Sequence, residues 1–426
     1  MNEIIKQRID TVHRGEVPEG YHVEFGYLIP DEWKTIPMNN RFTRSVRKNK
    51  SGCDNVLTIS AQMGLVNQRV FYDKDIASED KSGYFLLKNG EFAYNKSYST
   101  GYPYGAIKQL TKYNEGIVSP LYICFSPKSE TNTAFYTQYF EGGHYNREIY
   151  RIAQEGARNH GLLNIAVEDF FAGTLIDPPL AEQHKIAEIL STCDRVIELK
   201  QQLLDEKRKQ KQWLMQMLLD PDSGVRLPGF EGSQWIETPL SKLCRFLGGG
   251  TPDTSNEEYW NGTIPWISSA DLQDGNIHTI HATRYITEEA VQNSATKICP
   301  KDSILIVSRV GVGKIAIAPF TLCTSQDFTN LVDVKGNLYF ITLQLQREIQ
   351  RILAMSQGTS IKGVASKEIK AMVINLPTAK EQDAIASVLE CTDKEISLYE
   401  SELDTWQQKK KALMQLLLTG LVRVNA

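Results

Sequence analysis

The first stretch that could do chemistry is Asp177-Pro178-Pro179-Leu180. Asp-Pro-Pro followed by an aromatic residue is typical of the loop with which amino-methyltransferases hold an adenine or cytosine amino group, but Leu180 occupies the aromatic position. Such an enzyme also needs a glycine-rich loop after a strand to hold its sulfonium cofactor, and no such loop precedes residue 177. We therefore interpret the two prolines as the joint before a helix, and Asp177 as a helix cap or a solvent-facing acid.

Two other stretches resemble catalytic motifs only superficially. The segment RVGVGK at 309–314 ends like a phosphate-binding loop but lacks the motif's first glycine and the Ser or Thr after the lysine. It is more typical of a glycine hairpin between strands. The segment PDEWK at 30–34 contains the Pro-Asp and Glu-x-Lys of some nucleases, but those residues must come from separate strands to converge on a metal. Neither stretch predicts catalysis.

Composition also argues against a metal site, a disulfide framework and a membrane span. The cysteines are never spaced as Cys-x-x-Cys and stand at Cys53, Cys124, Cys193, Cys244, Cys299, Cys323 and Cys391. This scattered usage predicts reduced thiols. The sequence has no signal-peptide pattern and no apolar run long enough for a bilayer, so we expect a cytoplasmic protein. Net charge is −4, and the one strongly basic run, at 41–50, is by default a solvated face.

A chain of 426 residues suggests two or three domains, and an internal repeat shows how they are organised. Residues 181–220 match residues 380–419 without a gap at a constant offset of 199. Upstream, a Trp precedes a Pro in both PDEWKTIPM at 30–38 and SQWIETPLSKL at 233–243. Between these landmarks the halves diverge. The sequence therefore predicts a variable domain followed by a constant helix, twice.

Both repeated segments are strong helix candidates, since they lack internal Gly and Pro over about 40 residues and follow a proline. Their apolar residues recur in heptads, which predicts two long helices packed on each other. The predicted seam consists of Ile186, Leu190, Ile197, Leu204, Leu214, Leu218, Ile385, Leu389, Ile396, Leu403, Leu413 and Leu417.

Outside these helices, short β-branched and aromatic runs such as NVLTISA, GEFAYNKSY and DSILIVSRVGVGKIAIAP alternate with helical pieces at 132–141 and 337–355. We therefore predict an α+β fold with two mixed domains joined by two antiparallel coiled-coil helices related by a pseudo-twofold repeat. The predicted ranges are an N-terminal helix and linker (1–24), domain 1 (25–177), helix 1 (178–220), a linker (221–234), domain 2 (235–376) and helix 2 (377–420).

The stretch GGGTPDTSNEEYWNGTIPWISSADL at 248–272 has two readings that the sequence leaves open. Its glycines permit close approach of the backbone, and its hydroxyl and aromatic side chains suit surface recognition. It could equally be a structural loop around a buried Trp.

With its paired helices opening at AEQHKIAEIL and KEQDAIASVL and this glycine-rich entry to the second half, the chain resembles the specificity subunit of type I restriction-modification systems. The segments GEFAYNKSYSTGYPYGAIKQL and GIVSPLYICF resemble target-recognition domains of that family. The first half lacks the Gly-Gly-Thr-Pro entry, which suggests that the two domains read different sequences.

The resemblance implies that each domain reads one half of a bipartite double-stranded DNA target, and that the helices set the spacer between the halves. It implies that the partners are two modification (methyltransferase) subunits and restriction (translocase and nuclease) subunits. We expect no membrane partner. S-adenosylmethionine would then belong to the modification subunits, ATP and Mg²⁺ to the restriction subunits, and no cofactor or catalytic residue to this chain.

Base edges are read by Arg, Lys, Asn, Gln and Ser, while other cations hold phosphates. In the first domain the candidate DNA contacts are Arg41, Arg44, Arg47, Lys48, Asn95, Lys96, Tyr98, Tyr104, Lys108, Arg147, Arg151 and Arg158. In the second they are Thr251, Ser268, Ser269, Arg284, Ser308, Arg309, Lys314, Gln326, Ser360 and Lys362. Two alternatives from other classes remain: a coiled-coil adaptor that binds only protein, and a stand-alone DNA methyltransferase or nuclease.

Overall fold

The computed structural model describes residues 3–60, 63–72, 80–98, 101–153, 163–355 and 364–425. The chain divides into two compact units: unit 1 comprises Met1–Gln201 with Ser401–Ala426, and unit 2 comprises Gln202–Glu400. No helix in the described ranges has the length and apolar character that crossing a bilayer requires.

Unit 1 is built mainly from short strands. The strands are β1 (Tyr21–Glu24), β2 (Tyr27–Pro30), β3 (Lys34–Pro37), β4 (Phe42–Arg44), β5 (Leu57–Ser60), β6 (Gly64–Asn67), β7 (Phe85–Lys88), β8 (Phe92–Asn95), β9 (Ala106–Gln109), β10 (Glu115–Val118), β11 (Ile123–Pro127) and β12 (Thr174–Asp177). The helices are α1 (Glu3–His13), α2 (Gln68–Tyr72), α3 (Thr133–Glu141), α4 (Asn146–Ile152), α5 (Val167–Ala172) and α6 (Leu180–Leu218), which continues into unit 2.

The central sheet of unit 1 has the antiparallel order β4-β11-β8-β9. Successive residues of a strand face opposite sides of the sheet, so in β8 Phe92 and Tyr94 enter an aromatic core while Ala93 enters a second apolar cluster. The aromatic core is centred on Phe42, whose ring meets that of Phe125 edge-on at 5.3 Å. Burial on both faces explains why these strands read as nearly continuous apolar runs.

Unit 2 repeats this plan with different connections. Its strands are β13 (Ile236–Pro239), β14 (Arg245–Gly248), β15 (Ile264–Ile267), β16 (Arg284–Ile286), β17 (Ile298–Cys299), β18 (Ile304–Val307), β19 (Ile315–Ile317), β20 (Leu322–Thr324), β21 (Phe328–Val332) and β22 (Val373–Leu376). Its helices are α7 (Leu240–Leu243), α8 (Glu288–Gln292), α9 (Leu338–Met355), α10 (Ser366–Ala371) and α11 (Ala379–Leu417), which continues into unit 1.

The same strand framework appears in both units. The sheet β14-β21-β18-β19 has the order of β4-β11-β8-β9, and the pair β13-β22 corresponds to β3-β12. Unit 2 adds a second sheet, β16-β15-β20-β17, in which β15 and β20 are parallel. The predicted α+β fold with a repeated mixed domain is confirmed, including the hairpin between β18 and β19 at the segment RVGVGK.

The two long helices are antiparallel in each unit. Lys200 pairs with Glu402 in unit 1 and Lys207 pairs with Glu395 in unit 2, each at 2.7 Å, so the residue number rises along α6 as it falls along α11. Two further pairs, Lys410 with Asp194 and Lys211 with Asp393, exchange residues that the repeat makes equivalent. The repeat therefore forms the same Lys–Asp pair once in each unit.

Eight of the twelve residues of the predicted helix seam are buried, and the seam serves two purposes. Leu204 and Leu403, near the helix centres, are 2% and 8% exposed. Towards the helix ends the seam residues join the cores of the globular domains. Ile186, Leu190 and Leu417 belong to the core of unit 1, and Leu218, Ile385 and Leu389 belong to that of unit 2. The remaining members, Ile197, Leu214, Ile396 and Leu413, are half-buried.

Candidate nucleic-acid interface

In unit 1, antiparallel pairing brings several strand ends to one edge of the central sheet. Tyr94 lies opposite Ile123, and Arg44 lies opposite Phe125, so the ends of β4 and β8 meet the start of β11. Arg44 and Lys96 line a pocket of about 130 Å³ there, together with Ser45 and the Pro120–Cys124 loop. Within the described ranges, neither of these two side chains has an ion-pair or hydrogen-bond partner. Both are therefore available to an anion such as a DNA phosphate.

Three other basic candidates of unit 1 are held by buried or partly buried acids. The Nη2 atom of Arg47 lies 3.1 Å from Oε1 of Glu91. Lys108 is 8% exposed and pairs with Glu141. Arg41 is bound to Asp177. Each of these cations is already neutralised inside the unit, so its first role is structural.

The network around Asp177 corrects our expectation of a cap or solvent-facing acid. Asp177 is 2% exposed and accepts two hydrogen bonds from Nη2 of Arg41, at 2.8 and 3.0 Å, and one from Nε at 3.2 Å. The Tyr136 hydroxyl donates to it at 2.9 Å and the Gln183 amide at 3.0 Å. The carboxylate therefore joins β12, α3 and the first turn of α6. As predicted, Pro179 directly precedes that helix, which begins at Leu180.

The remaining candidates of unit 1 lie elsewhere on its surface. The Nζ atom of Lys48 donates to Gly83 O at 2.7 Å and lies 4.2 Å above the Phe85 ring. Arg147 donates to Gly26 O, and Arg151 pairs with Glu148 at 3.2 Å. Asn95 accepts a hydrogen bond from Ser97 N at 3.0 Å. Tyr104 packs edge-on against Tyr150, and Tyr98 is 57% exposed. Arg158 lies outside the described residues.

In unit 2, the corresponding edge collects five strand ends. Ser325 N donates to Ile267 O at 2.9 Å, which joins the ends of β15 and β20, and Ser308 N donates to Asp327 O at 2.8 Å, which joins the end of β18 to the start of β21. The end of β14 reaches the same place, since Gly250 N donates to Thr324 O at 2.8 Å. The loops that follow these strands therefore form one continuous surface.

The glycine-rich entry of unit 2 combines both readings that the sequence left open. A Cβ on Gly249 would lie 1.9 Å from Ser325 O, and one on Gly250 would lie 2.4 Å from Ala295 C, so only glycine allows these main chains to approach. Trp266 is 3% exposed and donates from its indole nitrogen to Gly250 O at 2.9 Å. The stretch is thus a structural loop around a buried Trp, and it also supports the surface formed by the strand ends.

Two basic candidates on this surface are bound internally. Arg284 lies over the Trp266 ring at 4.4 Å and donates to the Ser268 hydroxyl at 2.7 Å and to Asp271 at 3.1 Å. Burial raises the pKa of Asp271, but hydrogen bonds from Ser268 and Arg284 outweigh it and hold that pKa below its ordinary value. Lys314 donates to two main-chain oxygens, Ser269 O at 3.0 Å and Leu272 O at 2.8 Å.

The other candidates of unit 2 lie along the same edge. The Thr251 hydroxyl is hydrogen-bonded to the Gln326 side chain, which is exposed. Ser308 is 6% exposed and donates from its hydroxyl to Asp327 O at 3.0 Å. Arg309 is exposed at the tip of the β18-β19 hairpin. Ser360 and Lys362 lie outside the described residues.

Sequence reasoning missed a matched pair of contacts that fixes each domain to its long helix. The indole nitrogen of Trp33 donates to Glu182 at 3.3 Å, and that of Trp235 donates to Glu381 at 3.3 Å. An arginine completes each site, since Arg423 pairs with Glu182 and Arg226 approaches Glu381 at 3.9 Å. The signal was present in the repeat, because both the Trp and the Glu occur in each copy.

No group of three or more His, Cys, Asp or Glu side chains suited to a metal ion occurs within the described ranges. In both units the same sheet order presents a different set of loops at the corresponding edge. The family model of the type I restriction modification DNA specificity domain matches the chain twice, over residues 38–206 and 232–405. The chain belongs to this family: it is a non-catalytic subunit that reads a DNA target.

Three curated relatives are similar to this chain. The MjaIX type I restriction enzyme specificity subunit of Methanocaldococcus jannaschii is 35% identical over 166 residues, which cover 37% of this chain and 38% of the relative. The putative MjaX specificity subunit of the same organism is 26% identical over 428 residues, 96% of each chain. The EcoR124I/EcoR124II specificity subunit of Escherichia coli is 31% identical over 221 residues, 49% of this chain and 51% of the relative.

Two solved structures share the fold. A chain from a structure describing complex assembly and conformational transition of the type I R-M system aligns with a TM-score of 0.57 at 15% identity, covering 92% of this chain and 99% of that one. The type I restriction-modification S subunit from M. genitalium aligns with a TM-score of 0.53 at 16% identity, covering 93% and 97%. The matches do not favour the adaptor, methyltransferase or nuclease alternatives.

Proposed function

We propose that units 1 and 2 each read one half of a bipartite double-stranded DNA target, and that the two halves differ in sequence. The observation that carries this proposal is the contrast between framework and edge. Both units have the same central sheet order and the same Trp–Glu contact to a long helix. At the corresponding sheet edge, however, unit 1 presents Arg44 and Lys96, while unit 2 presents the glycine-supported loops around Arg309.

We further propose that the long helices bind two modification subunits. Leu199 on α6 and Leu398 on α11 are repeat-equivalent, and they are 54% and 58% exposed. A cation lies one helical turn before each of them, Arg195 and Lys394, and both cations are exposed. The same small surface is thus presented twice, which suits two copies of one partner. Restriction subunits would join the same complex.

The chemistry is assigned to those partners. In this proposal the modification subunits bind S-adenosylmethionine and methylate adenine at N6, and the restriction subunits use ATP and Mg²⁺ for translocation and cleavage. This chain contributes base readout and the spacing of the two half-sites, which the helices set. Because chromosomal DNA is the substrate, the proposed location is the cytoplasm.

The experiment that tests this function compares the methylated sequences of a host with and without this chain, in the presence of its modification subunits. A split motif that disappears with the chain supports the proposal. Exchanging residues 39–176 for those of another family member should change one half-site only. If both half-sites changed, independent reading by the two units would be wrong, and methyl transfer by the purified chain alone would contradict the assignment of chemistry to partners.

A further inference from the structure

The hairpin tip between β18 and β19, residues 308–314, lies at the edge of unit 2 where the strand ends meet. Val307 N donates to Lys314 O at 3.0 Å and closes the hairpin. Gly311 and Gly313 have φ angles of 80° and 99°, which residues with a side chain rarely adopt. The base of the tip is fixed to β21 by Ser308, whose main-chain nitrogen donates to Asp327 O at 2.8 Å. These hydrogen bonds fix the base of the tip, from which Arg309 and Val310 follow directly.

Arg309 and Val310 are the side chains that this tip presents. Arg309 is exposed, and within the described ranges its guanidinium has no ion-pair or hydrogen-bond partner. Val310 is 68% exposed. The other described cations among the candidates of unit 2, Arg284 and Lys314, are bound to Asp271 and to main-chain oxygens. Of these three cations, only Arg309 can contact DNA without first breaking an internal interaction.

We propose that Arg309 reads a guanine in the major groove of the half-site bound by unit 2, and that Val310 contacts the methyl group of a thymine in a neighbouring base pair. This inference rests on the proposed function. The major groove is wide enough to admit two strands, so it can admit the hairpin tip that extends beyond the sheet, and the parallel donors of a guanidinium match O6 and N7 of guanine. A phosphate contact would satisfy Arg309 but would leave Val310 without a partner, whereas the thymine methyl is the apolar group that base edges offer.

The test uses the full chain in complex with its modification subunits and a pool of duplexes in which each position of the wild-type target is varied in turn. Arg309→Ala should reduce the preference for guanine at one position by about 5- to 150-fold, and it should leave the other half-site unchanged. Arg309→Lys keeps the charge but loses the bidentate geometry, so it should relax the same position with a smaller loss of affinity. Val310→Ala should relax a thymine next to it.

Lys297 provides the matched control, because it is exposed in the same unit just before β17. Lys297→Ala should lower the affinity for all duplexes evenly or not at all. The inference is overturned if Arg309→Ala behaves in that way, if its target is unchanged, or if the relaxed position is not a G·C pair. Should Arg309→Ala fail to assemble, Arg309→Lys decides the question. A wild-type complex without a split target would instead refute the proposed function.

Discussion

Replacing the buried Asp177 by Asn should destabilise unit 1 far more than removing a surface ion pair of the same length. In the pair Arg41–Asp177 the Nη2–Oδ2 distance is 2.8 Å and the acid side chain is 1% exposed. In the pair Arg245–Asp333 the Nη2–Oδ2 distance is also 2.8 Å, but the two side chains are 65% and 62% exposed. The two pairs therefore share an ion-pair distance but differ in burial and in the number of hydrogen bonds that the acid accepts.

The expected magnitudes follow from what each substitution leaves behind. Asn at 177 retains one acceptor but turns an amide donor towards the Arg41 guanidinium. The charge of Arg41 then loses its buried partner, which lowers the free energy of unfolding by about 3 kcal/mol or more. Asp333→Asn should cost only about 0–1 kcal/mol. Asp333 has a φ of 56°, a conformation that Asn also tolerates. The double variant Arg41→Leu with Asp177→Leu should recover part of the loss, because it removes both charges.

The assay is hydrogen exchange of the full chain in a urea series, followed peptide by peptide. For Asp177→Asn, the peptides that contain β12 and α3 should exchange at lower urea, and those of β14 and β21 should be unchanged. Equal shifts for Asp177→Asn and Asp333→Asn would refute the argument from burial. Methylation by the assembled complex should survive Asp177→Asn at a permissive temperature. Its loss from a folded complex would restore the catalytic reading of Asp177-Pro178-Pro179-Leu180.

Three further outcomes are expected. Burial lowers the pKa of His144 from 6.5 to about 4. Between these two pH values the unfolded chain therefore binds a proton that the folded unit 1 excludes. The free energy of unfolding should fall by up to about 3 kcal/mol as the pH drops through this window. His144→Phe should remove that slope in urea titrations. Gly249→Ala should weaken binding to the half-site of unit 2, whereas Gly248→Ala, with nothing within 4 Å of its added Cβ, should not. Deleting seven residues from both long helices should shorten the preferred spacer by about three base pairs or abolish binding, and an unchanged target in methylome sequencing would exclude the spacer role.

Local patterns were sufficient to predict the framework. The heptad pattern of α6 and α11 is a short-range periodicity, and the fixed offset of 199 between the two helices is visible as a repeat without a gap. The strand runs of β8 and β18 were equally clear, because a sheet buried on both faces needs apolar residues at every position. The seam residues near the helix ends differed from the prediction, because they pack into the cores of the globular domains. The heptad pattern of the helices does not describe those cores.

Selecting the DNA-contacting cations from sequence was harder, because an ion pair is made with acids that are distant along the chain. Arg41 is 136 residues from Asp177, and Arg47 is 44 residues from Glu91. Nothing in the run at 41–50 distinguishes these arginines from Arg44, which has no such acid partner within the described ranges. Only the folded sheet, which brings β12 beside β3 and the end of β4 beside β11, makes the distinction.

This distinction also bears on how affinity and specificity are divided within the complex. Phosphate contacts supply most non-specific affinity and require uncommitted cations, yet the candidates Arg41, Arg47, Lys108, Arg284 and Lys314 are bound internally. A chain with net charge −4 and so many committed cations is poorly equipped to hold DNA by charge alone. It is better equipped to read a duplex that its partners hold. Specificity and much of the affinity would then reside on different chains, so the sequence preference of the assembled complex should follow this subunit while its salt dependence follows the partners.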